Sequence, residues 1–319
     1  MKTVIINKND ENQRLDKFLT KYFKNMPQSA IYKYIRKKRI KVNGKKCEIS
    51  YRLKEDDELS LYINDEFLES DIKISNSFLD ITPDISILYE DENIILVDKK
   101  FGMVVHEDKN EQKNTLINHI KAYLYQKGEY NPKDEHSFAP SLCNRIDRNT
   151  GGIVIGAKNA EALKIINEKI KSREIKKFYL CLVVGHLNKK SDTLKGYLFK
   201  DSKKNTVFVY DTPRLGAKNI LTKYTVLEER KNTSLVEVDL LTGRTHQIRA
   251  HFAHIKHPLL GDGKYGINEI NKKFNLKHQA LYSYKIKFEF SDQNTLSYLN
   301  QKSFEVDKIP FYNLDRQEE

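Results

Sequence analysis

Two short segments hold most of the side chains able to do chemistry. In Asn144-Arg145-Ile146-Asp147-Arg148-Asn149-Thr150-Gly151-Gly152, a carboxylate has an arginine on either side. Those cations favour its ionised form. The Asn-Thr-Gly-Gly run then turns the chain into the apolar Ile153-Val154-Ile155. By local sequence alone such an aspartate is either a reacting carboxylate or the cap of a turn, a role Asp often takes. The second segment, Leu241-Thr242-Gly243-Arg244-Thr245-His246-Gln247-Ile248-Arg249-Ala250-His251, is dense in hydrogen-bond donors and follows a strand pattern that ends at a glycine. His246, His251, His254 and His257 fall within twelve residues. Histidine is a common zinc ligand. Yet only the i, i+3 pairs could share a helix face, and no glutamate sits between them as in a metalloprotease helix. No metal is expected.

Two further stretches complete the pattern: Leu96-Val97-Asp98-Lys99-Lys100-Phe101-Gly102-Met103-Val104-Val105-His106 and Lys177-Phe178-Tyr179-Leu180-Cys181-Leu182-Val183. In order and spacing the four segments resemble the RluA-type pseudouridine synthases over roughly residues 87–290. In that family the first segment usually reads His-Arg-Leu-Asp-Arg-Asp-Thr-Ser-Gly and the second Thr-Gly-Arg-Thr-His-Gln-Ile-Arg. Here Asn144, Asn149 and Gly151 replace the usual His, Asp and Ser, and Lys100 stands where Pro is common. These departures touch loop geometry, not the carboxylate.

The resemblance implies a reaction. The uracil N1–C1′ bond breaks, the base turns, and the base rejoins the sugar through C5. There is no redox change, and no cofactor is expected. Asp147 is implied as the catalytic carboxylate, attacking C1′ or taking the 2′ proton. Burial would disfavour its charge, so a positive partner must hold it; the resemblance gives that part to Arg249. Arg249→Ala is therefore expected to lose activity in a folded protein. Tyr179 is implied as the active-site tyrosine, its ring stacking on uracil and its hydroxyl able to assist at C5. A base within folded RNA must be flipped out to react. Arg145 matches the residue that enters the gap, where a planar guanidinium can stack. Arg244, Thr245, His246 and Gln247 are expected to line the pocket and hold its turn.

These residues need a frame. An α+β class is expected, with a central mixed, mostly antiparallel β-sheet flanked by helices and loops. Strands are predicted at Ile94–Val97, Met103–Val105, Ile153–Ile155, Phe178–Val184 and Leu235–Leu241, and a helix at Ala160–Lys171. Before this lies a different module. Leu15, Phe18, Leu19, Tyr22 and Phe23 recur at helical spacing. Ser29 could cap a second helix with Ile31, Tyr34 and Ile35 on one face. Asn43-Gly44 signals a hairpin turn after Ile40–Val42, and Leu59, Leu61 and Ile63 fit its last strand. Within Lys33–Lys46 stand Lys33, Arg36, Lys37, Lys38, Arg39, Lys41, Lys45 and Lys46, with no acidic residue. A solvated helix face normally mixes signs, so this run points to a polyanion. From Gln13 to Leu61 the arrangement resembles the alpha-L (S4-like) RNA-binding domain, which implies that these eight cations meet RNA phosphates. The expected boundaries are 1–63 for this module, 64–86 for an acidic connection carrying Glu66, Glu69, Asp71, Asp80, Pro83 and Asp84, and 87–319 for the catalytic domain.

Charge agrees with an RNA partner. The 319 residues carry a net +12, and residues 1–65 hold sixteen Lys/Arg against nine Asp/Glu. The two-domain resemblance implies large-subunit ribosomal RNA as the substrate. Transfer RNA modification and a non-catalytic ribosome-assembly role are the competing readings. The basic module weighs against the first, and the joint presence of Asp147, Tyr179 and Arg249 against the second. No apolar run approaches the ~18 residues of a membrane helix, and the N-terminus lacks the apolar middle of a secretory signal. A cytoplasmic monomer with no membrane partner is expected. Cys47, Cys143 and Cys181 are far apart and read as unpaired buried thiols.

Overall fold

The structure is a computed structural model that describes residues 1–23, 25–64, 67 and 76–316. Glu66, Glu69 and Asp71 of the acidic stretch lie outside the described residues. Two sheets organise the rest. The small one has the order β1-β4-β2-β3, antiparallel throughout, from Lys2–Ile5 (β1), Ile40–Val42 (β2), Lys45–Lys46 (β3) and Glu58–Leu61 (β4). Helices α1 (Leu15–Tyr22) and α2 (Gln28–Arg36) pack on it. Leu15, Phe18, Leu19 and Tyr22 of α1 are buried, as are Ile31 and Ile35 of α2, an i, i+4 pair that shares one face of a helix. Ser29 does not cap α2. The helix starts one residue earlier, after Pro27, and uses no side-chain cap. The hairpin turns at Asn43-Gly44, both with positive φ. Ile63 lies past the end of β4 but is buried with the same core.

The large sheet follows the order β11-β10-β12-β13-β9-β14-β8-β6-β5. Its strands are Ser86–Glu90 (β5), Ile94–Lys99 (β6), Ser141–Leu142 (β7), Gly151–Ala157 (β8), Ile175–Val184 (β9), Ser191–Asp201 (β10), Thr206–Tyr210 (β11), Lys218–Glu229 (β12), Thr233–Asp239 (β13), Leu281–Phe288 (β14) and Ser303–Glu305 (β15). Among these pairings only β14 with β8 is parallel, so the sheet is mixed and mostly antiparallel. β8 is buried along its whole length, which suits the nearly continuous apolar run of a strand covered on both faces. The helices are α3 (Leu116–Gln126), α4 (Ala160–Lys171), α5 (Gln247–His254) and α6 (Asn268–Phe274). α4 has the expected bounds, with Asn159 as its cap. One hydrophobic cluster includes Ile95, Val154, Tyr179, Val236 and Phe252; the other includes Leu96, Ile153, Leu180, Leu235 and Phe288. Alternate residues of the same strands thus feed opposite faces.

One strand expectation overruns its strand and another fails. β13 ends at Asp239, short of Leu241. Met103–Val105 is not a strand: only Val104 makes a bridge, to Thr115. Gly102, at φ +82°, turns the chain there; the Lys99 ammonium takes the Met103 carbonyl at 2.9 Å, and the Val104 and Val105 carbonyls accept from Leu116 and Ile117 N–H at the start of α3, so these carbonyls are not free for a neighbouring strand. Within 64–86, Phe78 and Ile81 are buried in the first cluster of the large domain, and residue 86 already opens β5. Cys181 is buried, whereas Cys47 and Cys143 are only partly so.

Candidate active site

Asp147 stands in the turn that leads into β8. Its carbonyl accepts from the Thr150 N–H at 3.0 Å, so the aspartate does shape the turn, through its backbone. Its side chain stays free for other work. Half-buried at 27% exposure, its Oδ2 accepts from Arg249 Nη1 at 2.8 Å. Arg249 projects from the first turn of α5 and is itself buried.

Arg249 has a second partner, which sequence reasoning passed over. Its Nε and Nη2 donate to Asp262 Oδ2 and Oδ1 at 2.7 and 2.9 Å. This two-pronged bond fixes the guanidinium plane. Asp262 is fully buried, and its Oδ1 also accepts from the backbone N–H groups of Lys264 (2.8 Å) and Tyr265 (3.1 Å). Burial would raise the Asp262 carboxyl, but the Arg249 bonds and charge and the two N–H groups outweigh it and hold the group below the usual carboxylate range. Burial likewise works against the Arg249 charge, and the two carboxylates more than reverse it. Asp262 thus anchors Arg249, and Arg249 presents its remaining Nη1 to Asp147. Arg249→Ala would leave this buried carboxylate without its cation, which costs several kcal/mol, so the activity of that variant is to be read together with its denaturation midpoint.

His246 opens α5 in the left-handed conformation, φ 53°. Its Nδ1 bonds the Tyr265 hydroxyl at 2.9 Å, and its Nε2 lies 3.9 Å from Asp147 Oδ2. The same hydroxyl accepts from Val207 N–H at 2.9 Å, which favours donation of its proton to Nδ1. Burial holds the imidazole below its ordinary pKa, with the Asp147 charge opposing, so His246 is neutral at pH 7. Gln247 is buried and braces the turn. Its Oε1 accepts from Thr242 Oγ1 (2.9 Å) and Arg244 N (3.1 Å), while its Nε2 donates to Leu221 O and Thr222 Oγ1, both at 3.0 Å.

Tyr179 is buried in β9, opposite Val238 on one side and Ser283 on the other. Beside it the β9–β14 register shifts between Ser283 and Lys285; such bulges re-aim side chains. Burial, with the Asp147 charge adding to it, pushes the phenol up to about 12, so it stays protonated at neutral pH.

A cavity of about 600 Å³ joins these parts, and it is lined by Arg145, Asp147, Tyr179, Arg244, Thr245, His246, Gln247 and Arg249. Every site residue expected from the two motifs and from β9 therefore faces one space, of a size suited to a nucleotide-sized ligand. Arg145, Arg244 and Thr245 are exposed. The four histidines do not converge: His246 bonds Tyr265, His251 bonds Thr222, His254 bonds Asp211 and His257 bonds the Val184 carbonyl.

Lys99, under the Asp147 loop, was also passed over. It is buried, and Nζ donates to the carbonyls of Lys100 (2.9 Å), Met103 (2.9 Å) and Arg148 (3.0 Å). Burial pulls this ammonium down to about 7, against the charges of Asp147 and Asp98. Three carbonyl acceptors, one for each N–H, favour the protonated form, and we take the group as charged. Two departures from the motif also find structural reasons. Asn144 accepts from Ile155 N–H at 2.8 Å and so bonds the edge of β8. A Cβ on Gly151 would come within 2.4 Å of the Tyr282 ring, so no serine fits.

The eight cations of the N-terminal module form a separate patch. Lys33 and Arg36 lie on α2, Lys37, Lys38 and Arg39 follow it, Lys41 is on β2, and Lys45 and Lys46 are on β3. All but Lys41 are exposed. Lys41 stands directly opposite Lys46 in the ladder, an arrangement that repels unless an anion lies across it. Among the described residues none of the eight is paired with a carboxylate.

Comparison with known proteins gives the following. The RNA pseudouridylate synthase family matches residues 93–254, and the S4 domain matches residues 13–59. An uncharacterized RNA pseudouridine synthase of Mycoplasma genitalium is 34% identical, over 97% of this chain and 96% of its own length. A ribosomal large subunit pseudouridine synthase C of Buchnera aphidicola is 33% identical, over 89% and 88%. The structure of human RNA pseudouridylate synthase domain containing 1 shares the fold, with a TM-score of 0.54 and 23% identity over 66% of this chain and 81% of that one.

Proposed function

Since this chain belongs to the RNA pseudouridylate synthase family and carries an S4 domain, we propose that it converts uridines to pseudouridine in large-subunit ribosomal RNA with Asp147 as its catalytic carboxylate. The observation that carries the residue assignment is the Asp147–Arg249 pair at 2.8 Å in the cavity wall, with Arg249 held from behind by Asp262. The Buchnera relative named for the large subunit supports the choice of RNA.

In this reading the flipped uridine enters the cavity and its ribose meets Asp147. Attack at C1′ and removal of the 2′ proton both use a carboxylate oxygen of Asp147, which the Arg249 bond holds in place at 2.8 Å. The N1–C1′ bond breaks, uracil turns while stacked on Tyr179, and C5 joins C1′. The proton lost from C5 is replaced by one gained at N1, so the product is an isomer. The neutral Tyr179 phenol and the neutral His246 suit a site that handles a detached, electron-rich base. Arg145 fills the gap in the RNA; Arg244, Thr245, His246 and Gln247 shape the pocket. The patch from Lys33 to Lys46 carries the RNA backbone. We take residues 1–63 and 87–319 as the two working units, joined through 64–86, in a monomer acting in the cytoplasm.

The test maps pseudouridine by carbodiimide treatment and primer extension in cells lacking the gene, complemented with wild type or Asp147→Ala. Large-subunit sites restored by wild type alone support both parts. Sites restored only in transfer RNA would overturn the substrate, and sites restored by Asp147→Ala would overturn the residue.

A further inference from the structure

Arg145, Lys177, Lys200 and Arg244 line the cavity with no carboxylate partner among the described residues. Three of them are exposed, as expected of cations around a polyanion's entrance. Lys177 differs. It is half-buried on β9, two residues before Tyr179, so both side chains leave the same face of the strand. Its side chain makes no hydrogen bond or ion pair among the described residues. Burial lowers its pKa, and no neighbouring carboxylate opposes the shift. The three carboxylates of the cavity wall have other partners: Asp147 is bonded by Arg249, Asp108 by Arg148 at 3.1 Å, and Glu107 by the Asn118 amide at 3.3 Å.

An unpaired ammonium withdrawn from water is costly unless an anion reaches it. The anion that every RNA substrate brings is its phosphodiester, since uracil and ribose are neutral. Resting on the pseudouridine-forming reading, we infer that Lys177 binds a backbone phosphate adjoining the nucleotide whose base lies against Tyr179. The contact makes Lys177 a positioning residue. Backbone contacts fix register and orientation, and here they fix the sugar relative to Asp147. A placement error of about 1 Å at such a site costs about 10²-fold in rate.

The experiment measures binding of uridine, uridine 5′-monophosphate and uridine 3′-monophosphate to the full-length protein by calorimetry, for wild type, Lys177→Gln and Lys177→Arg. Wild type should prefer one monophosphate over uridine by roughly tenfold or more, the size of a hydrogen bond to a charged group. Lys177→Gln should lose the preference and Lys177→Arg should keep it. A preference retained by Lys177→Gln would assign the phosphate to other cations and overturn the inference. So would a wild type that favours neither monophosphate over uridine. If Lys177→Gln does not fold, the wild type with ¹³C-methylated lysines decides. Its Lys177 signal, identified by its absence in Lys177→Arg, should move with the preferred monophosphate and not with uridine. No movement with either would again reject the contact. Pseudouridine mapping with Asp147→Ala reports on the chemistry independently, so failure of one reading is distinguishable from failure of the other.

Discussion

At the scale of residues, the site is a chain of charges in which each member restrains the next. Asp262 holds two nitrogens of the Arg249 guanidinium and two backbone N–H groups, leaving Arg249 its third nitrogen, Nη1, for Asp147. The two carboxylates should therefore respond differently to removal. Asp262→Asn breaks a buried pair and is expected to cost about 3–5 kcal/mol, seen as a lower denaturation midpoint. It should also lower activity, because Arg249 loses its anchor. Asp147→Asn removes a half-exposed partner from an arginine that keeps its other one, so the midpoint should barely move while activity disappears. Equal destabilisation by both would contradict this division of roles. His251 gives a second test. Burial, with a smaller push from His254, brings its imidazole down to about 4, and Thr222 Oγ1 bonds its Nδ1 at 2.9 Å. Below the unfolded value near 6.5 the unfolded chain binds a proton that the folded one refuses. Stability is thus intact above that pH and falls as pH drops toward 4, by about 3 kcal/mol from this group. His251→Gln should remove that share of the acid sensitivity, as measured by urea unfolding at pH 7 and pH 4.5. An unchanged difference between the two pH values would reject the assignment.

At the scale of elements, the position of Asp147 depends on how β8 begins. Gly152 has φ +110°, and a Cβ there would come within 2.2 Å of the Ser283 carbonyl oxygen on β14. The close approach belongs to the parallel β8–β14 pairing, where Ser283 lies opposite Gly152. Gly152→Ala should therefore cost upwards of about 3 kcal/mol, combining backbone strain with a clash against main chain. Gly263→Ala is the control: its φ is ordinary and its Cβ would meet nothing within 4 Å, so thermal melting should change little. The Asp147 turn is also fastened from below. Gly102 N–H and the Lys99 ammonium both donate to the Arg148 carbonyl, each at 3.0 Å, tying the loop to the turn that follows β6.

At the scale of the whole molecule, the N-terminal module packs against the large domain through its first residues. Asn9 Nδ2 donates to Glu135 (2.6 Å), and its Oδ1 accepts from Ala160 N at the start of α4 (3.0 Å). Ser137 bonds Asp10 at 2.5 Å and accepts from Gln13 at 2.8 Å, while His136 Nε2 meets the Ile5 carbonyl at 2.8 Å. The basic patch is on other elements and is untouched by these contacts. Its contribution is best tested in the intact chain, where the docked surface stays covered. Replacing Lys37, Lys38, Arg39, Lys45 and Lys46 with Gln should weaken binding to ribosomal RNA. The slope of log K against log salt should fall by up to about 3.5–4.5, since each phosphate neutralised contributes about 0.7–0.9. An unchanged slope would place RNA docking elsewhere.

The sequence by itself determined the local features and the reaction class. The periodicity of Leu15, Phe18, Leu19 and Tyr22, the bounds of α4, and the turn at Asn43-Gly44 were legible because neighbouring residues decide them. The motif residues around Asp147, Tyr179 and Arg249 were legible because the chemistry restricts their types and order. What only the tertiary structure decided were partnerships between separate elements and loops. Asp262 reads as one more loop carboxylate until α5 folds back and brings Arg249 onto it. Lys99 reads as a surface lysine until three carbonyls close around it. Met103–Val105 reads as a strand because apolar character does not reveal that its carbonyls are claimed elsewhere. The absence of serine at Gly151 has no local cause at all; the Tyr282 ring from β14 takes the space. Such contacts join separate elements, from Arg249 and Asp262 thirteen positions apart to Gly151 and Tyr282 on different strands. They depend on which strands become neighbours, and local propensity carries no record of that choice.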